Sequence, residues 1–274
     1  MKKLRGFSTA AVVGVVLGLA VVALMVISIV NNQPIDHCYI REPDETTGQM
    51  EENIKGPKDA PIIIYEYADF QCEYCAMLNP YVVGAIKVAE GNLAVVYRSY
   101  VAPYHQYGQQ SAAAANAAAA QGYFEDFANN LFAKQEEWAY GTEAKFNEYM
   151  EKYFKEVTDG KGDLDKFNAD RVAENIATKI NNETELAKRA KINGTPAFYY
   201  KNQLIDFSNQ NGGSIKVAGE KLSWDHALSG DEFAQVLLDI VNISRYKNGE
   251  NNENTENDEN TTENMTEGWV PIPE

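Results

Sequence analysis

Pro61-Ile62-Ile63-Ile64-Tyr65-Glu66-Tyr67-Ala68-Asp69-Phe70-Gln71-Cys72-Glu73-Tyr74-Cys75 is the stretch on which the reading of this chain turns. A short run rich in Ile and Tyr reads as a strand. It gives way at Asp69 to a segment with helical periodicity, and two cysteines stand three apart at that junction. The junction places Cys72 at a helix N-terminus, beside unsatisfied backbone N–H groups and the positive end of the helix dipole. A thiolate is stabilised there, and the thiolate is the species that attacks disulfides. Cys75, one turn on, lies on the same helical face, within reach of closing a small ring. The pair has the layout of a dithiol–disulfide couple.

Two other readings compete with redox chemistry. One is a structural disulfide, the other half of a metal site. Zinc takes four ligands, and the only remaining candidates, His37, Cys38, His105 and His226, form neither a second C-x2-C nor an H-x3–5-H arrangement. The strand–CxxC–helix context favours redox chemistry, and no metal is expected.

Both ends of the 274-residue chain read as lying outside the fold. Residues 1–6 form a basic stub carrying Lys2, Lys3 and Arg5, and residues 7–30 read as a transmembrane anchor. Ala10 to Val30 contains twenty-one residues without a charge, about 32 Å as a helix and enough to cross a bilayer core. The flanking charges put the N-terminus in the cytoplasm and everything after Val30 outside. A cleavable signal peptide is the rival, but no small-x-small site follows Val30, so an uncleaved signal-anchor in the cell membrane is expected.

Residues 31–58 are polar and aperiodic and read as a linker, with a short strand near Glu52-Asn53-Ile54. Residues 248–274 hold eight acidic and no basic residues, half of the formal charge of −16, and read as a disordered tail. With that balance nothing here would neutralise phosphates, which argues against nucleic acid. Cys38, the odd cysteine, is open to three readings: a free thiol, an intermolecular bridge, or an exchange partner for the CxxC.

Between the ends, residues 59–247 read as one domain. The helix from Cys72 runs to about Glu90, with Pro80 inside it, and Leu93 to Tyr100 is a second strand. From about 103 to 192 the pattern is helical throughout, opening with the alanine-rich Ser111–Gln121. Strands return at Pro196–Tyr200 and Gln203–Phe207, Gly212-Gly213 reads as a loop, and Ser229-Gly230-Asp231-Glu232 is a capping box for a last helix. The order predicts an α/β fold interrupted by an all-helical insertion.

From about Asn53 to Tyr246 the chain resembles the thioredoxin superfamily, and within it the DsbA-like branch. The resemblance rests on Gly56-Pro57-Lys58-Asp59-Ala60-Pro61, the strand and CxxC that follow, Pro80, Asn193-Gly194-Thr195-Pro196-Ala197-Phe198, and two insertion segments, Gln121-Gly122-Tyr123-Phe124 and Leu131-Phe132-Ala133-Lys134-Gln135. It implies a thioredoxin-like fold with an inserted helical domain, preceded here by the one transmembrane helix. It also implies roles. Cys72 would be the exposed nucleophile and Cys75 the buried resolving thiol of a redox-active disulfide. Pro196 would form a cis-proline loop, with Thr195 turned toward an extended substrate flanked by Glu73 and Tyr74. Glu66 would be a buried acid that relays a proton for Cys75. The competing reading of Glu66 is a carboxylate facing solvent, since strand parity puts it opposite Tyr65 and Tyr67.

The departure from the family pattern is Glu73-Tyr74, which lacks the proline or histidine often found between the cysteines; a carboxylate there opposes ionisation of Cys72. The expected function is an extracytoplasmic protein thiol–disulfide oxidoreductase that forms disulfides in exported proteins. It would use no cofactor and be reoxidised by a quinone-linked membrane partner. The alternatives are a reductase or isomerase on the same fold, and a tethered binding or holdase module with a structural disulfide.

Overall fold

The computed structural model describes residues 16–25, 35–44, 50–247 and 249. The chain divides into two compact units, Met1–His37 and Cys38–Glu274. In the first, residues 16–25 are helical (α1). The rest of the expected anchor over 7–30 lies outside the described residues, and among the described residues no helix is long and apolar enough to cross a membrane. The expected tail over 248–274 also lies outside them, apart from Gly249.

The second unit is built on a five-stranded sheet of order β1-β3-β2-β4-β5. Its strands are β1 (Asn53–Lys55), β2 (Ile62–Ala68), β3 (Leu93–Ser99), β4 (Ala197–Tyr200) and β5 (Gln203–Leu204). Strands β2 and β3 run parallel in the register Ile62↔Leu93 to Ala68↔Ser99, and β1 and β4 add antiparallel on either side. The parallel pair requires a crossover. It is supplied by α2 (Glu73–Val88), which contains Pro80.

One face of the sheet is covered by α2 and the C-terminal helix α9 (Gly230–Lys247), which share a core with Ile62, Ile64, Val95 and Phe198. The other face is covered by the helical insertion. Its members are α3 (Gly108–Ala119), α4 (Phe124–Ala133), α5 (Gln135–Trp138), α6 (Glu143–Val157), α7 (Leu164–Asp170) and α8 (Glu174–Arg189). The alanines of α3 are small enough to bury six of their side chains and let neighbouring helices approach closely. Glu232 and Ser229 exchange hydrogen bonds at the start of α9, the capping box expected there.

Three expectations are corrected. The linker assigned to 31–58 is, in its described part from Cys38, integrated into the domain. It carries β1, the short strand expected near Glu52-Asn53-Ile54, and Arg41 makes ion pairs to the buried Glu52 and to Glu183 of α8. Glu52 also pairs with Arg98 of β3 at 2.7 Å, so charge rather than apolar periodicity fastens this segment. Secondly, Gly213 is not in a loop. It opens β6 (Gly213–Val217), which pairs with β7 (Glu220–Trp224) through a tight turn at Ala218-Gly219, both with positive φ. Gly213 is needed because an added Cβ would fall within 2.7 Å of the Trp224 ring. Thirdly, strand parity does not decide Glu66, because β2 is central and covered on both sides. Tyr65, Glu66 and Tyr67 are all buried.

Candidate active site

Residues 69–72 form the turn between β2 and α2, and every layer of the domain contributes to holding them. Phe70 packs between Tyr97 of β3 and Phe132 of α4, with ring centroids 4.7 and 4.8 Å away. The Asp69 carboxylate accepts the backbone N–H groups of Gln71 and Ala102 and meets His105 Nδ1 at 2.8 Å. Its backbone carbonyl accepts the Cys72 N–H at 3.0 Å. Gly108, the first residue of α3, permits this approach, since a Cβ there would lie 3.0 Å from Asp69 Oδ2.

Cys72 is the N-cap of α2, with extended backbone dihedrals of −79° and 120°; in place of the exposed nucleophile expected, it is only 8% exposed, with the Thr195 carbonyl against its sulfur. Its pKa is lowered from 9.0 to about 6. The largest cause is the hydrogen bond from the Cys75 thiol. The Thr195 side chain and the backbone N–H groups of Cys75 and Tyr74 add to it, and burial works against it. The Cys75 thiol is pushed well above its ordinary value, first by burial and then by the neighbouring Cys72 and Glu66 charges. One sulfur is therefore readily an anion, while the other holds its proton.

Across from Cys72 the Thr195–Pro196 peptide is cis, and the Thr195 carbonyl oxygen lies 3.3 Å from Cys72 Sγ. A cavity of about 470 Å³ runs alongside, lined by Tyr74, Ile192, Thr195, Pro196, Tyr199 and Phe207 among others. Tyr74 is 66% exposed at its rim. An aromatic wall with open backbone at the cis-proline loop suits an extended polypeptide, with main-chain groups to pair and pockets for side chains. Glu73 does not face this cavity. Its carboxylate accepts a 2.6 Å hydrogen bond from Tyr140 Oη and lines a separate hollow of about 690 Å³ against the insertion.

Glu66 is 1% exposed and lies 3.3 Å from Lys55 Nζ. The same ammonium donates to Asn79 Oδ1 at 2.7 Å, and Asn79 in turn donates to Asn129 of α4. Lys55 is fully buried and also sits over the rings of Tyr97 and Phe132. Thus Cys72, Cys75, Thr195 and Pro196 converge, Glu73 and Tyr74 flank them on opposite sides, and Glu66 lies beneath. Cys38 is half-buried near Tyr67 and Tyr199, whose titration its charge affects.

Sequence reasoning missed Lys55, Asn79, Gln71, Gln135 and Tyr140. The usable signal was a lysine inside a short strand, and amide side chains at positions where helix and turn periodicity predict core. Among the described residues no group of three or more His, Cys, Asp or Glu is arranged to hold a metal.

Comparison with known proteins bears on this arrangement. A stretch of 149 residues, 54% of the chain, is 30% identical to Na(+)/H(+) antiporter NhaA 3 of Salinispora tropica and 29% identical to NhaA 1 of Salinispora arenicola. The matched part covers 21% of each, so the chain spans about a fifth of the length of these curated relatives. Among solved structures, BdbD from Bacillus subtilis superposes with a TM-score of 0.51 at 17% identity, covering 74% of this chain and 97% of that one. Alpha-DsbA1 from Wolbachia pipientis gives 0.51 at 21% identity, covering 72% and 94%. A thioredoxin-like oxidoreductase from Silicibacter pomeroyi gives 0.50 at 21%, covering 73% and 96%. These likenesses establish a shared fold, helical insertion included. Residues 49–213 match the family model described as thioredoxin, a span that holds the CxxC, the buried acid and the cis-proline loop; by that match the chain belongs to the thioredoxin family.

Proposed function

We propose that this protein is a protein thiol–disulfide oxidoreductase working in the oxidising direction on exported proteins, held at the outer face of the cell membrane by residues 7–30. The observation that carries the reading is the placement of the two sulfurs: Cys72 caps α2 against the cis Thr195–Pro196 loop, 3.3 Å from the Thr195 carbonyl, and Cys75 is fully buried behind it, an arrangement that lowers the pKa of the first thiol and raises that of the second. A stable thiolate in the reduced form makes the disulfide form a better oxidant. The cavity beside Thr195 and Pro196 is where the substrate chain would lie.

In the oxidised enzyme a substrate thiolate attacks Cys72 Sγ, and the Cys72–Cys75 bond breaks. Cys75 leaves with the electron pair and takes up a proton, which its burial favours. Glu66 stands close enough for its charge to act on Cys75 and is the candidate proton carrier. The second substrate thiolate then attacks its own partner sulfur in the mixed disulfide. Cys72 departs as the stabilised anion, leaving a substrate disulfide and a dithiol enzyme. A quinone-linked membrane partner would accept the two electrons and restore the disulfide. No metal or organic cofactor enters these steps.

The oxidised protein should convert a reduced, unfolded two-cysteine substrate to its disulfide, and Cys72→Ser should abolish this. A Cys72 pKa of about 6 lies between the values of about 7 for thioredoxin and about 3.5 for DsbA. The reduction potential should accordingly fall between about −270 and −120 mV. A potential at or below the lower figure would move the assignment to a reductase, and full activity in Cys72→Ser would remove the redox role.

A further inference from the structure

The segment Gln135–Tyr140 of the helical insertion wraps the turn that carries Cys72. Gln135 is 6% exposed, and its Nε2 donates to the carbonyl of Phe70 at 2.7 Å and to that of Cys72 at 3.0 Å. In the reverse direction, Gln71 Nε2 donates to the Ala139 carbonyl at 2.8 Å, while its Oε1 accepts the Tyr107 N–H. Tyr140 Oη donates to Glu73 Oε1 at 2.6 Å. The segment is itself anchored, since Trp138 is fully buried and its Nε1 donates to the Leu131 carbonyl at 2.9 Å.

We infer that Gln135 and Tyr140 are positioning residues for the Cys72 thiolate, so that the insertion sets the ionisation of the nucleophile from outside the CxxC motif. Two effects combine. Fixing the Cys72 carbonyl fixes the cap dihedrals, and these aim the N–H groups of Tyr74 and Cys75 at the sulfur. A freed turn would spread that geometry, and hydrogen bonds weaken steeply with misalignment. Drawing the Glu73 carboxylate onto Tyr140 engages the like charge that would oppose a neighbouring thiolate. The titratable groups around Cys72 include Cys75, Glu73 and Tyr74 on α2, Tyr140 and Glu136 on the insertion, Glu66 of β2 beneath, Lys191 and Tyr199 on the cis-proline side, and the Asp69–His105 pair behind the turn.

The significance of this arrangement rests on the proposed thiol chemistry, but its test does not require turnover. The reduced full chain is alkylated with iodoacetamide across pH 4–9, with Cys38→Ser in the background so that Cys72 is the reactive thiol followed. Gln135→Met keeps the length of the side chain and removes both donors. At pH 6 its alkylation rate should fall about five-fold, the loss of thiolate expected if the midpoint rises by about one pH unit. Tyr140→Phe alters only an exposed hydroxyl and should lower the rate about two-fold, screening making the Glu73 charge the weaker influence. A raised midpoint in either variant upholds the inference, and wild-type profiles in both overturn it. Should Gln135→Met fail to fold, Tyr140→Phe decides alone. Shifted profiles in a protein that oxidises no substrate would sink the proposed activity and leave the positioning role standing.

Discussion

Cys72 Sγ and the Thr195 carbonyl oxygen lie 3.3 Å apart across 123 residues of chain. Thr195 also gives Cys72 a side-chain hydrogen bond, which favours the thiolate. The hydroxyl and the carbonyl therefore separate in function: the carbonyl accepts from the thiol, the hydroxyl donates to the anion. Thr195→Val removes only the second. A hydrogen bond worth about 1 kcal/mol corresponds to roughly 0.7 of a pH unit, so the Cys72 midpoint should rise by about that much from its value near 6. Thiolate ultraviolet absorbance against pH measures it, and an unmoved midpoint would mean that the hydroxyl does not reach the anion.

The same acidity makes the stability of the reduced protein depend on pH. The folded-state pKa of Cys72 is depressed, to about 6 against 9.0. Its contribution is therefore full above about 9, shrinks as pH falls, and is gone below about 6. Cys75 does not add to this gain, because its folded-state pKa is raised. Denaturant unfolding of the dithiol form should show stability growing from pH 6 to 8, by up to about 2–3 kcal/mol at 1.36 kcal/mol per pH unit. Cys72→Ser should flatten this rise. A rise of the same size in the variant would assign it to other groups.

Much of this geometry was legible in the sequence. The CxxC at the strand–helix junction, the helix through Pro80, the alanine-rich opening of the insertion and the Ser229–Glu232 cap each follow from local rules. The failures have separate causes. Arg41 and Lys55 sit in a stretch without apolar periodicity, and their partners Glu183 and Asn79 lie far along the chain, so no local pattern announces them. The β6–β7 hairpin was hidden because Gly212-Gly213 outweighed the alternation of Ile215 and Val217 with polar residues. Glu66 is buried as the family resemblance implied; strand parity could not have shown it, because parity assumes one wet face and β2 has none.

The Arg41–Glu52–Arg98 cluster should govern acid stability. Burial pushes the Glu52 pKa up, but the hydrogen bonds and charges of Arg41 and Arg98 win and bring it down from 4.5 to about 2. A depressed carboxylate contributes stability that is present above its unfolded value of 4.5 and lost as pH falls through about 2. Arg41→Ala leaves Glu52 with Arg98 and Glu183 with Lys179, so the loss at pH 7 should be about 2–3 kcal/mol, short of the roughly 3–5 expected for a buried charge left wholly unpaired. Acid unfolding should also begin at higher pH in the variant. Arg41→Ala with wild-type stability at pH 7 would show that residues 38–44 are not fastened by charge.

Lys55 and Glu66 offer the sharpest separation of structural from chemical roles. Both side chains are buried, and Lys55 Nζ is shared between Glu66 Oε2 and Asn79 Oδ1. Lys55→Met strands a buried carboxylate and should cost about 3–5 kcal/mol. Removing both charges in Lys55→Met/Glu66→Leu should recover most of that loss, because a buried ion pair is worth little against an apolar pair of similar volume. Glu66→Gln keeps the shape and tests the chemistry. Alkylation of Cys72 should be nearly unchanged, because the groups that acidify it are Cys75, Thr195 and two backbone amides. Release of Cys75 as a thiol should slow, with the largest effect at high pH, where bulk water supplies few protons. The two rates are measured separately, by iodoacetamide trapping of the reduced protein and by the formation of a mixed disulfide on Cys72 when a small monothiol attacks the oxidised protein, the step in which Cys75 leaves. If both fall together, Glu66 supports the site's architecture and carries no proton; if only the second falls, the carboxylate is the group that moves it.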